Sequence, residues 1–291
     1  RNTLQLNNGN GTFSEIGQLS GIHNTDWSWS PLIADFDNDG WKDMFITNGY
    51  RRDVSNLDFI NYGQQNSFFG TKKAISKNRL KKLFSLPEIK LHNYIYKNNG
   101  DLTFSDRVKE WGFSKPSFSN GAAYADLDND GDLDLIVSNI DDKAFIYRNN
   151  SIKNGIDSKN INHFLRLRLV GDMDLTGTRV SLKYKGKEQY QLYSPVKGSL
   201  STVEEMLHFG LGKTTMIDTL LVKWPNGTSQ LIKNVSADQV LMVDSKNARP
   251  TDPLTEKSLI PLFDDVTPDL GINYTNVSNG LVDFNIQATL I

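Results

Sequence analysis

Two segments of nine residues concentrate the chemistry of this chain: DFDNDGWKD, from Asp35 to Asp43, and DLDNDGDLD, from Asp126 to Asp134. Each sets carboxylates at positions one, three, five and nine: Asp35, Asp37, Asp39 and Asp43 in the first, Asp126, Asp128, Asp130 and Asp134 in the second. Gly40 and Gly131 fall at position six, where a tight turn needs positive φ. Four acidic side chains in so short a turn repel one another unless a hard cation sits among them. Ca2+ is the expected ion, because it accepts six to eight oxygen ligands in flexible geometry and takes a backbone carbonyl, here from Trp41 and Asp132 at position seven. Asn38 and Asn129, at an even position, are expected to form the turn and not to ligate.

The flanks distinguish these loops from an EF-hand, which needs a bidentate Glu at position twelve and a following helix. Position twelve is Ile46 in one copy and Val137 in the other. The segments PLIA and MFIT around the first loop, and AAYA and LIVS around the second, are short and apolar, so each loop reads as a strand-turn-strand clip. An acidic turn without metal is the plain alternative, and the agreement of two copies at every ligand position argues against it.

The copies extend beyond the loops. The offset of 91 that carries Asp35 onto Asp126 also carries NTLQLNNGNGTF (Asn2 to Phe13) onto NYIYKNNGDLTF (Asn93 to Phe104), and Gly21 onto Gly112. Units of this kind cannot bury their faces alone and must stack, as in a propeller. With the N-N-G-x-G-x-F turn ahead of a D-x-D-x-D-G-x-x-D loop, residues 1–150 resemble the FG-GAP or VCBS repeats of integrin-type β-propellers. That resemblance implies a structural calcium in each loop. The first unit holds about forty extra residues, roughly 49–91, with a basic stretch (Lys72, Lys73, Lys77, Arg79, Lys81, Lys82) and a helix expected around Ile75, Leu80, Leu83 and Phe84. A solvated helix across the propeller rim or a contact for an anionic partner would both fit it.

After Asn150 the pattern changes. HFLRLRLVG, TRVSLKYKG, EQYQLYSPV, DTLLVKWPNG, TSQLIKNV and QVLMVD alternate apolar and polar residues between turn signals, which predicts a compact antiparallel β domain. Residues 160–246 resemble the ASPIC/UnbV domain through Gly177-Thr178-Arg179-Val180, Gly198-Ser199-Leu200-Ser201, His208-Phe209-Gly210-Leu211-Gly212 and Trp224-Pro225-Asn226-Gly227. His208 has no carboxylate or nucleophile at a catalytic spacing and reads as a packed strand histidine. Phe263-Asp264-Asp265-Val266, followed by Gly271-Ile272, repeats the pattern of Phe13 and Gly21, so a further array is expected over 260–291. Both ends are expected to be cut from a longer polypeptide.

The predicted architecture is therefore mainly β: partial propeller blades with calcium loops, a compact β domain and one helical insertion. A net charge of −2, no cysteine and no apolar run near the ~20 residues of a membrane helix complete the picture. The absence of cysteine and the Asn, Lys and Ile richness suggest a bacterial source. Passive filling of the loops needs near-millimolar calcium, so the chain is expected outside the cytosol, on a secreted or lipid-anchored surface protein, outer-membrane anchoring included. Sequons at Asn149, Asn226, Asn234, Asn273 and Asn276 would matter only in a eukaryotic secretory route. The expected role is a non-catalytic module that binds a protein or carbohydrate ligand, with no nucleic-acid partner. Its four histidines, His23, His92, His163 and His208, form no cluster in sequence. The alternatives are a polysaccharide-processing enzyme, with Trp27, Trp29, Trp41, Tyr50, Arg51 and Arg52 lining a sugar site, and a subunit of a larger membrane-associated surface complex. Those aromatics are expected to be blade core more often than sugar platform, and no carboxylate pair outside the calcium loops offers acid and base.

Overall fold

The computed structural model describes residues 1–52, 84–152, 162–198 and 200–250, together with Asp269 and Gly271. The basic stretch and its expected helix lie outside the described residues except at Phe84, as do Ser199 and nearly all of the array expected over 260–291. The chain divides into two units, Arg1–Thr251 and Asp252–Ile291, and every described strand belongs to the first.

The described residues are nearly all β, in open sheets. Strand β1 (Gln5–Asn7) pairs antiparallel with β2 (Phe13–Glu15). A four-stranded antiparallel blade follows in the order β3 (Ser28–Ala34), β4 (Asp43–Asn48), β5 (Tyr94–Asn98), β6 (Phe104–Asp106). Strands β7 (Ser119–Ala125), β8 (Asp134–Asn139) and β9 (Phe145–Tyr147) form a three-stranded sheet. Strand β4, with its Met-Phe-Ile-Thr run, is buried along its whole length between two neighbours. Strand β3 alternates exposed and buried positions and tolerates Pro31 because the pairing slips between Ser28 and Pro31.

The sequence repeat and the structural blade are out of phase. The repeat begins at the Asn-Asn-Gly hairpin, whereas the blade takes β3 and β4 from the first repeat and β5 and β6 from the second. The inserted residues after Asn48 therefore leave from inside a blade, between β4 and β5. The same displacement explains where the second domain begins. Tyr94-Ile95-Tyr96-Lys97-Asn98-Asn99, which begins with β5, corresponds to Phe145-Ile146-Tyr147-Arg148-Asn149-Asn150, which begins with β9, but the chain then departs toward β10 where the other copy turns back into β6. Among the described residues β9 pairs with β8 alone.

The second domain comprises β10 (His163–Val170), β11 (Arg179–Tyr184), β12 (Lys187–Leu192), the short β13 (Val196–Lys197) and β14 (Ser201–Thr202), β15 (Leu207–Gly212), β16 (Met216–Lys223), β17 (Thr228–Ser236), β18 (Gln239–Asp244) and β19 (Arg249–Pro250). A five-stranded sheet, β12-β11-β16-β17-β19, accompanies a three-stranded one, β15-β10-β18. One pairing departs from the antiparallel expectation: β18 runs parallel to β10, from Leu165 beside Gln239 to Val170 beside Asp244. Leu165, Leu167, Val180, Leu182, Phe209, Leu220 and Val222, all fully buried, anchor its core. The first domain has its own core around Leu32, Phe45, Ile95 and Val137, to which Val203 of the second domain adds.

Candidate metal centre

Local geometry makes each loop a turn before it can be a ligand. Gly40 and Gly131 have φ of 96° and 94°, and Asn38 and Asn129 both have φ of 58°, the left-handed region that Gly and Asn enter most readily. The position-one carboxylate then collects the free amides of the turn. Asp35 accepts from Asp39 N at 3.1 Å and Gly40 N at 2.8 Å; Asp126 accepts from Asp130 N at 3.1 Å and Gly131 N at 3.0 Å.

Position nine has a role that the acidic spacing alone did not reveal. Asp43 accepts Phe36 N at 3.1 Å on one oxygen and Asn98 N at 2.9 Å on the other; Asp134 accepts Leu127 N at 2.9 Å and Asn149 N at 2.7 Å in the same way. Asn98 Nδ2 donates to Lys42 O and Asn149 Nδ2 to Leu133 O, so the final Asp of each loop ties it to the Asn-Asn turn that follows. The signal was the recurrence of that Asn-Asn pair after both loops.

Ligand atoms of Asp35, Asp37 and Asp39 lie within 4.8 Å of one another, as do those of Asp126, Asp128 and Asp134. The structure thus gathers positions one, three and five in loop one, and one, three and nine in loop two. Asp130, at position five of loop two, accepts from Asp132 N at 3.2 Å. Buried Asp132 takes Ser151 Oγ and Ile152 N, each at 3.1 Å, on its side chain. The Trp41 ring packs beside Gly100 and is half exposed.

The electrostatics are those of sites short of positive charge. Burial, then the charges of Asp43, Asp37 and Asp39, hold the Asp35 carboxyl well above its ordinary range. Burial with Asp37 pushes Asp43 up to about 7, and burial with Asp130 does the same for Asp132. Side-chain cations partly answer this. The Lys97 ammonium, from β5, contacts both Asp37 and Asp39, and Arg166 Nη1, from β10, meets Asp126 Oδ2 at 2.7 Å. Burial opposes the Lys97 charge, but its hydrogen bonds to the two carboxylates outweigh that and raise its pKa. A donor set made wholly of oxygen, with an ammonium drawn between two of its carboxylates, fits a hard cation such as Ca2+. Asp35, Asp37, Asp39 and Asp43, and Asp126, Asp128, Asp130 and Asp134, with the carbonyls of Trp41 and Asp132, would hold it.

Sequence reasoning did not foresee that the second domain rests on these loops. The buried Asn38 carboxamide donates to Gly131 O at 3.1 Å, which joins the loops, and its oxygen lies 2.6 Å from His208 Nε2. With that oxygen facing it, Nε2 carries the imidazole proton. Burial, then the Arg166 charge, push the His208 pKa down to about 3. Gly212 N donates to Asn38 O at 2.9 Å, and Asn162 Nδ2 to Asp37 O at 2.8 Å.

The aromatic candidates are not core: Trp27, Trp29 and Trp41 are all more than 40% exposed. Trp27 stacks on Tyr50 at 4.7 Å between ring centres, and Trp29 Nε1 donates to Gly49 O. Arg51 and Arg52 pair with Glu88 instead. A cavity of about 490 Å³ opens beside loop one, lined by Asp37, Glu110, Trp111, Tyr147 and Arg148 among others.

Residues 1–46 and 83–137 match the family described as FG-GAP-like repeat, and residues 172–250 match that described as ASPIC and UnbV. The first match breaks at the inserted residues between β4 and β5. No curated protein matches the chain. FG-GAP repeats are typical of extracellular or surface proteins, and no described helix is long and apolar enough to cross a membrane.

Proposed function

We propose, for a chain that joins FG-GAP-like repeats to an ASPIC/UnbV domain, that it is a calcium-stabilised, non-catalytic binding or scaffold module of a bacterial surface or secreted protein. One observation carries the reading: two loops of the same design each bring three carboxylates within 4.8 Å, at positions that hydrogen bonds within the turn fix in advance. The non-catalytic part is supported by His208, which is buried against Asn38 and committed to it, and so is not presented to a substrate. The half-exposed Trp27 and Tyr50 stack, and the aromatic cavity beside loop one, offer contact surfaces for a protein or sugar ligand.

The direct test is calorimetric titration of the chelator-stripped chain with calcium. Two equivalents bound, falling to one in Asp37→Asn or Asp128→Asn, is the expected result. Absence of binding at millimolar calcium would overturn the metal reading.

A further inference from the structure

The face made by β10 and β15 covers both acidic loops, and it does so by unlike means. Over loop two the contact is a buried ion cluster. Arg166, 2% exposed, pairs with Asp126 and with Glu204, while Asp126 N donates to Glu204 at 3.3 Å. The Phe164 ring lies so close to Gly131 that a Cβ there would stand 2.0 Å from it. Over loop one no arginine of the described residues intervenes. The contact is backbone and neutral side chain: Gly212 N and His208 Nε2 on Asn38, and Gly210, where a Cβ would fall 2.0 Å from Asp35 Oδ2. Asn38 is buried beneath it while its counterpart Asn129 is exposed.

The two loops therefore present different problems on loss of a cation. In loop two, a side chain fixed in the second domain already lies on the position-one carboxylate. In loop one, Asp35 accepts the amides of Asp39 and Gly40 beside the Gly210 backbone and makes no ion pair among the described residues. The charge of partly buried Lys42 acts on it without such a contact, and Lys97 reaches Asp37 and Asp39 from the blade itself. Mutual repulsion of Asp35, Asp37, Asp39 and Asp43 would move the turn that carries Asn38, and with it the acceptors for Gly212 and His208. We propose that the ASPIC/UnbV domain is seated on the two acidic loops as a two-point dock, locked by Arg166 at loop two and closed by the cation at loop one. On this view the metal sets how firmly the two domains are held together as well as how the turn is shaped. Arg166 and Asn38 are positioning residues for that dock.

The inference rests on the calcium reading above, and the experiment separates the two. Calcium binding is followed by calorimetry, and on the same samples amide hydrogen exchange is measured with calcium and with chelator. The expected result is that chelation speeds exchange at least tenfold at the Gly212 amide, which donates across the interface, and leaves the Leu182 and Leu220 amides of the domain core unchanged. Arg166→Gln is expected to extend that acceleration, in chelator only, to the loop-two amides of Asp130 and Gly131. Asn38→Ala keeps the main-chain carbonyl that accepts from Gly212, but it removes the carboxamide held by His208 and Gly131 and strains a turn with φ of 58°, so it is expected to give fast Gly212 exchange with or without calcium. Calcium bound with Gly212 exchange unmoved by chelation would overturn the dock and leave the metal reading standing. No binding at all would overturn both. Faster exchange confined to residues 35–43 would also overturn the dock, since the metal would then order its own turn alone.

Discussion

At the scale of single residues, positions one and nine of each loop already hold backbone amides as well as belonging to the proposed ligand set. Asp43 uses both oxygens to hold backbone amides of Phe36 and Asn98. Asparagine there would keep one acceptor and turn a donor toward the other amide, so Asp43→Asn is expected to cost about 1–3 kcal/mol even in chelator, where no ligand to the ion is at stake. Asp37→Asn is expected to lower the melting temperature in calcium and to leave a protein less sensitive to chelator. Denaturant melts of both variants in the two buffers check the contrast. His208 supplies a pH signature. Its folded pKa, about 3, lies below the unfolded value of about 6.5, so the unfolded chain binds the extra proton between them and stability falls as pH drops through that window. From pH 7 to pH 5 this term costs about 2 kcal/mol. His208→Gln, whose amide can still donate to Asn38, is expected to lose that much less over the same interval, measured by urea unfolding at each pH.

At the scale of elements, the strands were legible because period-two alternation and turn residues mark them directly, as in Arg179–Tyr184 and Thr228–Ser236. The left-handed φ at Asn38, Asn129, Gly40 and Gly131 was equally legible from residue type. Even Gly271, in the third copy of the Phe-to-Gly pattern, has a φ of 61°, beside 76° at Gly21 and 83° at Gly112. Three features were not legible. The blade's phase depends on which strands meet across the repeat boundary, the parallel pairing of β18 with β10 depends on a long-range return, and the exposure of Trp27 and Trp29 depends on what packs over them. None leaves a local mark on the sequence. The contact of β15 with loop one makes its own demand: Gly210 lies on a strand where alanine is locally acceptable, yet a Cβ would overlap Asp35 and Asn38. Gly210→Ala is expected to cost about 1–3 kcal/mol through that overlap, with the domain's far-ultraviolet signal retained. Chemical unfolding of the variant beside the unaltered chain measures it.

At the scale of the molecule, the candidate site was half visible in advance. Eight carboxylates, their glycines and the expectation of calcium followed from spacing, whereas the residues that cover them lie far off in sequence: Arg166 is 40 residues from Asp126, Asn162 is 125 from Asp37 and His208 is 170 from Asn38. Both loops and the second domain lie within one compact unit, Arg1–Thr251, so on the proposed reading the metal is thermodynamically linked to both. If each loop binds with a dissociation constant near ~10 μM, a hundredfold excess of calcium stabilises the native state by about 2.7 kcal/mol per independent site. The most direct measurement is a thermal melt of the unaltered chain in millimolar calcium and in chelator, beside the double variant Asp39→Ala, Asp130→Ala. A clearly higher melting temperature in calcium is expected for the unaltered chain, and almost no difference between buffers for the double variant. Identical melting temperatures for the unaltered chain in both buffers would contradict the calcium reading.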